Sequence, residues 1–331
     1  MEHAPDPRSF VPAGPWRDAV EEVPPTVLVL GGFLTSPPFY RPLRARLLRL
    51  GAAAVVVANV WTFDWLLAPA RGVGPIVGRS ARALATASGI AARGASLGAP
   101  LLVVGHSAGG ITARVLTAEQ PFAGRRQGHA PQIGAIVTLG TPHHVATSRY
   151  AGRRISAVAA RFADRTVPGA AFAPYVGYVT VASRAVVGRA DGVGRERVAW
   201  RLYQGLLHDP AATTIEGDGV VPLRSAMLDG ALQIVLDDVL HAQAGGQPWY
   251  GSEPGLDRWW LDAVDAWRTA LRARVGLAAA GAAVDGGADA AAGAAVDGAD
   301  ADPGTGDHTG AAVDEGAIAI DGPRAGAARA R

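Results

Sequence analysis

A serine lies between small residues in the segment Gly105-His106-Ser107-Ala108-Gly109. The segment follows the apolar run at residues 101–104 and precedes a helical pattern at residues 111–118. On a sharp strand-to-helix turn, a serine hydroxyl is lifted above the sheet, and such a turn needs nearly side-chain-free neighbours. We therefore predict that Ser107 is a nucleophile.

The same spacing occurs a second time, in Gly94-Ala95-Ser96-Leu97-Gly98. The pattern alone is therefore weak evidence, and its place in the chain has to decide between the two serines. Ser96 precedes the apolar run, where a connecting loop belongs, whereas Ser107 follows that run directly. We interpret Ser96 as a loop residue.

A serine hydroxyl needs a base and an orienting acid, which in this arrangement follow it in the order acid, then histidine. His241 comes directly after the last predicted strand, at residues 232–240, and is the predicted base. The alternative is a surface loop histidine. The other histidines lie in the chain ends, in polar loops or on the turn itself.

The predicted acid is Asp218, in the glycine-flanked loop Glu216-Gly217-Asp218-Gly219 between the nucleophile and the base. An aspartate chosen only for turn chemistry is the alternative interpretation. Glu216 is the nearest substitute, and Asp237 and Asp238 are further candidates within the last strand.

Backbone N–H groups are the expected donors to an oxyanion. One is that of Ala108, after the nucleophile, and the other is that of Phe33, in the loop after the first strand, where Gly32 allows close approach. Without the serine, Gly31-Gly32 would indicate only the end of a strand.

Continuous apolar runs alternate with helical patterns along the middle of the chain. Such runs are typical of parallel strands covered on both faces, so we predict an α/β fold with a doubly wound, mostly parallel sheet. The predicted strands are residues 26–30, 52–60, 101–105, 133–139, 178–182 and 232–240, and the predicted helices are residues 39–50, 76–92, 111–118 and 255–275.

The predicted domain covers residues 25–276, with a small cap or lid insertion at about residues 145–176. Residues 1–24 are expected to be an irregular arm. Residues 277–331 are rich in Ala, Gly and Asp, with nine acidic residues against three arginines and no aromatic residue. This low-complexity tail is predicted to be disordered, because it offers little apolar surface to bury.

The composition of the chain excludes several classes of function. The chain has 331 residues and a formal net charge of +2, too little positive charge for a nucleic-acid partner. It has no cysteine, which excludes disulfides and thiol chemistry, and we expect no metal. No secretory signal or membrane-spanning run is visible, so a cytoplasmic protein is expected. The oligomeric state stays open.

Five segments in chain order resemble the lipase branch of the α/β hydrolases, and more narrowly the GPI inositol-deacylase-like hydrolases of plants, cyanobacteria and other bacteria. The resemblance implies a triad of Ser107, Asp218 and His241, no cofactor, and carboxylic or lipid ester substrates. The chain differs from the lipase pattern at Gly31, which stands where lipases often have a histidine. The segments are Val27-Leu28-Val29-Leu30-Gly31-Gly32-Phe33, Gly105-His106-Ser107-Ala108-Gly109-Gly110, Leu139-Gly140-Thr141-Pro142-His143, Gly217-Asp218-Gly219-Val220-Val221-Pro222, and His241 with Pro248-Trp249-Tyr250-Gly251-Ser252.

The substrate pocket can be outlined only in part. We expect it to include Gly32, Leu34, Trp65, His106 and His143. We also expect His143 and His144 to support the pocket rather than to catalyse. The neighbouring aromatic residues could line an acyl pocket or belong to the core. They are Phe33, Trp61, Phe63 and Trp65.

The cap insertion contains a helical pattern with an apolar face and arginines off that face. A basic amphipathic helix above such a site could act as a lid at an anionic lipid surface. An ordinary cap helix with a solvated arginine face is the favoured alternative. The predicted apolar face is Ile155, Val158, Ala159 and Phe162, and the arginines are Arg154, Arg161 and Arg165.

The chemistry predicted from these residues is ester hydrolysis through an acyl-enzyme. An acyltransferase would use the same three side chains, with an alcohol as the acceptor. A catalytically silent fold that only binds a small molecule is the other alternative.

Overall fold

The computed structural model describes residues 6–146, 151–243 and 246–296, and for residues 151–156 and 281–296 it describes the backbone alone. The chain divides into two units, Met1–Ala283 and Val284–Arg331. All side chains discussed below belong to the first unit.

A six-stranded sheet, parallel throughout, forms the centre of the first unit. Its strand order is β2-β1-β3-β4-β5-β8, so the chain runs outward from β1 in both directions, as the predicted doubly wound fold requires. The strands are β1 Thr26–Leu30, β2 Ala54–Val57, β3 Leu101–His106, β4 Ile133–Leu139, β5 Gly177–Ser183 and β8 Leu232–Leu236.

Alternate residues of the inner strands serve two separate cores, because successive side chains of a strand point to opposite faces. Leu28 and Leu30 belong to one apolar cluster, and Val27 and Val29 to the other. Helices α2–α5 cover the first face and α1 and α9 the second. The helices are α1 Arg41–Arg49, α2 Thr62–Arg71, α3 Gly74–Arg93, α4 Ala108–Thr117, α5 Ala151–Thr166, α6 Gly194–Leu207, α7 Leu223–Ala226, α8 Glu253–Leu256 and α9 Trp260–Val296.

A two-stranded antiparallel ribbon interrupts the pattern between β5 and β8. It pairs β6 Val186–Arg189 with β7 Thr214–Gly217, and α6 lies between them in the chain. The ribbon and α6 have a small apolar cluster of their own. The sequence did not predict β6 and β7, because they are short and alternate between buried and exposed residues instead of forming a continuous apolar run.

The last strand and the last helix differ from the prediction at their ends. β8 ends at Leu236 rather than at residue 240, and its first four residues are not fully buried because it is an edge strand. α9 continues to Val296, about twenty residues past the predicted end, which fits the high helix propensity of alanine. The remainder of the predicted disordered tail lies outside the described residues, and the proposed domain boundaries stay predictions.

The cap helix α5 packs through alanines. Ala157, Ala160 and Ala163 are buried. Of the predicted apolar face, Ala159 is buried but Val158 is 52% exposed, so the face that packs differs from the predicted one at Val158. The side chains of Arg154 and Ile155 lie outside the described residues. Within the described ranges, no helix is long and apolar enough to cross a membrane.

A substitution at Gly177, at the start of β5, would test how tightly the sheet packs on α9. A Cβ there would lie 2.6 Å from the carbonyl oxygen of Ala266, which is backbone and has little room to move. We expect Gly177→Ala to lower the free energy of unfolding by about 2 kcal/mol, measured by urea denaturation.

Gly276→Ala is the control for that substitution. A Cβ at Gly276 would meet nothing within 4 Å, and the residue lies within α9. This variant should therefore gain up to about 1 kcal/mol. Equal effects of the two substitutions would contradict the packing described for β5.

Candidate active site

Ser107 lies at the turn between β3 and α4 with φ of 54° and ψ of −124°. Positive φ is costly for a residue with a Cβ and is typical of a strained functional turn. The Ser107 amide donates to Leu139 O at 2.9 Å, which fixes the turn against β4. The side chain is 9% exposed, at the N-terminal end of α4, whose dipole favours negative charge there.

The turn can be this tight because α4 lies directly on the strands. A Cβ at Gly109 would be 2.1 Å from Leu30 O, and one at Gly105 would be 2.4 Å from the Cα of Gly110. No side chain fits at either position. The small residues around the serine are therefore required by packing, as the sequence pattern predicted.

The structure brings Ser107, His241 and Asp218 into one hydrogen-bonded line. His241 Nε2 is 3.1 Å from Ser107 Oγ, and His241 Nδ1 is 2.7 Å from Asp218 Oδ2. A carboxylate can only accept, so the proton of a neutral His241 is on Nδ1. Nε2 is then left to accept the hydroxyl proton of Ser107, the arrangement that nucleophilic catalysis requires.

Asp218 is buried and receives four hydrogen bonds. Oδ1 accepts from the amides of Val220 at 3.0 Å and Val221 at 2.7 Å, and Oδ2 accepts from His241 and from the Tyr250 hydroxyl at 3.0 Å. Burial raises the pKa of Asp218, but the charge and hydrogen bond of His241 and the two amides outweigh it, so the pKa lies below its ordinary value. Asp218 is therefore held as a carboxylate.

Asp218 and His241 each follow a strand, as expected, but those strands differ from the predicted ones. Asp218 follows β7, in the antiparallel ribbon rather than the main sheet. His241 lies five residues after the end of β8, where Leu240 N donates to Pro248 O at 2.8 Å. His241 N also donates to Asp218 O at 3.0 Å, so backbone as well as side chains joins the two residues.

Tyr250 and Gly140 were not assigned roles from the sequence, although both fall in the segments that carry the resemblance. The Tyr250 side chain is fully buried and supports Asp218. Gly140 has φ of +54°, and a Cβ there would lie 2.6 Å from Asp218 Oδ2. Only a residue without a side chain leaves room for the carboxylate.

His106 occupies a second buried network beside the first. Its Nε2 is 2.9 Å from His241 O, which can only accept, so Nε2 carries the proton. Its Nδ1 must therefore accept, and Tyr40 Oη donates to it at 2.9 Å. Tyr40 Oη in turn accepts from the amide of Gly32 at 2.8 Å. One continuous series of hydrogen bonds thus joins the loop after β1, the nucleophile turn and the backbone of His241.

The two predicted oxyanion donors belong to segments that adjoin Ser107, the loop after β1 and the start of α4. A Cβ at Gly32 would be 2.8 Å from Ser107 Cβ, so the loop after β1 lies against the serine. The Gly32 amide is bonded to Tyr40, which leaves the Phe33 amide as the next donor along that loop. Neither Phe33 N nor Ala108 N has a hydrogen-bond partner among the described residues.

Exposed apolar side chains occur in the loop that contains Phe33 and at the start of α2, which is bonded to it. The hydroxyl of Thr62, at the start of α2, donates to Leu34 O at 2.9 Å and joins this loop to α2. We call the exposed set the apolar rim. It consists of Phe33, Leu34, Trp61, Phe63 and Leu66.

The remaining predicted pocket residues are less accessible than expected. Trp65 is buried, with its ring 5.5 Å from that of Phe33, and lies beneath the rim. His106 and His143 are both fully enclosed. His143 contacts Thr138 Oγ1 at 3.1 Å and Arg114 Nη1 at 3.4 Å, so it ties α4 to β4.

The other residues considered as nucleophile or acid make contacts outside the Ser107–His241–Asp218 line. Ser96 is buried and bonded to Thr26 Oγ1 and Pro24 O, at 2.7 and 2.8 Å. Asp237 and Asp238 pair with Arg184 and Arg258 at the surface. Glu216 is exposed. In the part of the chain that the structure describes, no group of His, Asp and Glu could hold a metal ion.

No protein-family model and no curated protein sequence matches the chain. Among solved structures, the chain is similar to esterase 2 of Thermogutta terrifontis phosphoramylated by tabun. The identity is 13%, the TM-score is 0.32, and the match covers 77% of this chain and 84% of that one. These values are too low to assign a family or an activity.

The neutral state of His106 predicts how stability depends on pH. Burial, with a smaller effect of His241, lowers the pKa of His106 from 6.5 to about 3. Between these pH values the unfolded chain binds a proton at His106 that the folded chain does not bind. The contribution of His106 to the free energy of unfolding is therefore complete above pH 6.5 and is lost as the pH falls toward 3.

His106→Gln should reduce the slope of unfolding free energy against pH by about 1.4 kcal/mol per unit in this window, because one titrating group is removed. Urea denaturation at pH 7, 6, 5 and 4 measures that slope. The exposed His144, substituted in the same way, is the control. An unchanged slope for His106→Gln would show that His106 is not buried as a neutral ring.

Proposed function

We propose that this protein is a serine ester hydrolase of the α/β-hydrolase superfamily, related to its lipase branch, which acts through an acyl-enzyme. The observation that carries the proposal is the hydrogen-bonded line from Ser107 Oγ through His241 to Asp218. The strained turn at Ser107 and the two free amides beside it support the same chemistry.

In the first half of the proposed reaction, His241 Nε2 takes the proton of Ser107 as Oγ attacks the ester carbonyl. The amides of Phe33 and Ala108 donate to the oxyanion that forms. Asp218 stabilises the imidazolium, and His241 then gives the proton to the departing alcohol. In the second half, water replaces the alcohol and attacks the acyl-enzyme in the same way.

The apolar rim supports a substrate with an apolar acyl group. Singly exposed hydrophobic residues are ordinary, but a group of them beside a candidate nucleophile is typical of a binding surface for an apolar ligand. Carboxylic or lipid esters fit this surface better than charged substrates do.

The proposal predicts that Ser107→Ala abolishes turnover of p-nitrophenyl esters, because no other hydroxyl contacts His241 in the part of the chain that the structure describes. The parent protein should hydrolyse acetate, butyrate and octanoate esters, with KM falling as the acyl chain lengthens. A fluorophosphonate probe should add to Ser107, as seen by mass spectrometry of the tryptic peptide. Ser96→Ala is the matched control and should keep its activity.

Three results would change this conclusion. Full activity in Ser107→Ala would exclude the nucleophile. A new ester formed in preference to free acid when an alcohol is added would show an acyltransferase. Failure of both labelling and turnover in the parent protein would favour a fold that only binds.

Tyr250 is expected to act by positioning Asp218. Tyr250→Phe removes one of the four donors to the carboxylate and leaves the packing intact, so kcat should fall about tenfold, corresponding to about 1.4 kcal/mol, with KM unchanged. Tyr175→Phe is the control, since Tyr175 lies before β5, at the opposite end of the sheet. A change in KM alone would assign Tyr250 to substrate binding.

A further inference from the structure

A cavity of about 280 Å³ lies at the end of the sheet opposite to Ser107. It is bounded by Phe10 and Trp16 of the N-terminal arm, by Ser88 of α3, by Pro100 before β3, and by Arg274 of α9. Ser107 follows the other end of β3, about 20 Å away at 3.3 Å per residue. At roughly 30 Å³ for each water in the liquid, the cavity holds a molecule of about ten heavy atoms.

Arg274 is a buried cation, 1% exposed, and makes no ion pair within the described chain. Its guanidinium donates to the carbonyls of Tyr175 and Pro131, both at 2.7 Å, and to those of Ala130 and Ile133. Carbonyl dipoles solvate the positive charge without neutralising it. Burial accordingly lowers the pKa of Arg274 to about 9.

Two hydrogen-bond donors at the cavity have no acceptor among the described residues. A guanidinium has five N–H bonds, and the four carbonyls leave one on Nη1 without an acceptor among the described residues. The Ser88 hydroxyl is also buried without a partner. A buried polar group without a partner indicates a missing acceptor or donor. The aromatic ring of Phe10 lies 5.0 Å from the Arg274 guanidinium.

We propose that this cavity binds a small carboxylate with an aromatic or aliphatic body. The carboxylate neutralises Arg274 and accepts from the Ser88 hydroxyl, and the apolar body packs against Phe10 and Trp16. This site is separate from the catalytic residues, and its existence does not depend on the proposed ester hydrolysis.

Isothermal titration of the full chain with phenylacetate and with its neutral counterpart phenylacetamide tests the charge requirement. We expect one phenylacetate per chain and at least tenfold weaker binding of phenylacetamide. Arg274→Met should weaken phenylacetate at least tenfold. Arg272→Met is the control on the same helix, because Arg272 is half exposed and pairs with Glu21, and it should bind phenylacetate as the parent does.

Ser88→Leu keeps the test decisive if Arg274→Met does not fold. Leucine fills part of the cavity from α3 and leaves Arg274 in place, so phenylacetate binding should be lost while the circular dichroism spectrum stays that of the parent protein. Equal affinity for the acid and the amide would overturn the proposal. So would unchanged binding in Ser88→Leu, or no measurable binding by the parent protein.

Discussion

The buried carboxylate of Asp218 is the constraint around which the loops at the carboxyl ends of the strands are arranged. A carboxylate removed from water is stable only when its oxygens are supplied with donors. Here they come from the turn after β7, from His241 after β8 and from Tyr250 before α8. Gly140 after β4 leaves the necessary space. Four chain segments therefore depend on one charged group.

The sequence predicted best where burial alone decides the structure. β1, β3, β4 and β5 are continuous apolar runs, and their predicted bounds agree with the structure to within one residue. The edge strand β8 was predicted too long, because the buried apolar residues Val239 and Leu240 lie past the point where pairing with β5 stops. Elements with little apolar periodicity, such as α6 and the β6–β7 ribbon, were missed.

The residues of the candidate site also fall into those that the sequence could identify and those that it could not. Ser107 could be identified because its turn demands small residues at fixed spacing, and chain order then pointed to Asp218 and His241. Tyr40 and Tyr250 could not be identified, because their roles arise only when segments far apart in the chain meet. Tyr40 Oη contacts His106 across 66 residues, and Tyr250 contacts Asp218 across 32.

The network of His106 explains why a histidine that is unsuited to proton transfer stands next to the nucleophile. Its two ring nitrogens differ in role, because His241 O can only accept from Nε2 and Nδ1 is then left to accept from Tyr40 Oη. A leucine of similar size would remove the donor to His241 O and the ring nitrogen that accepts from Tyr40 Oη. Because Tyr40 also receives the Gly32 amide, the oxyanion loop, the nucleophile turn and the base cannot shift independently. The ordering of these three segments is therefore cooperative, and a substitution at any one of them is expected to disturb the other two.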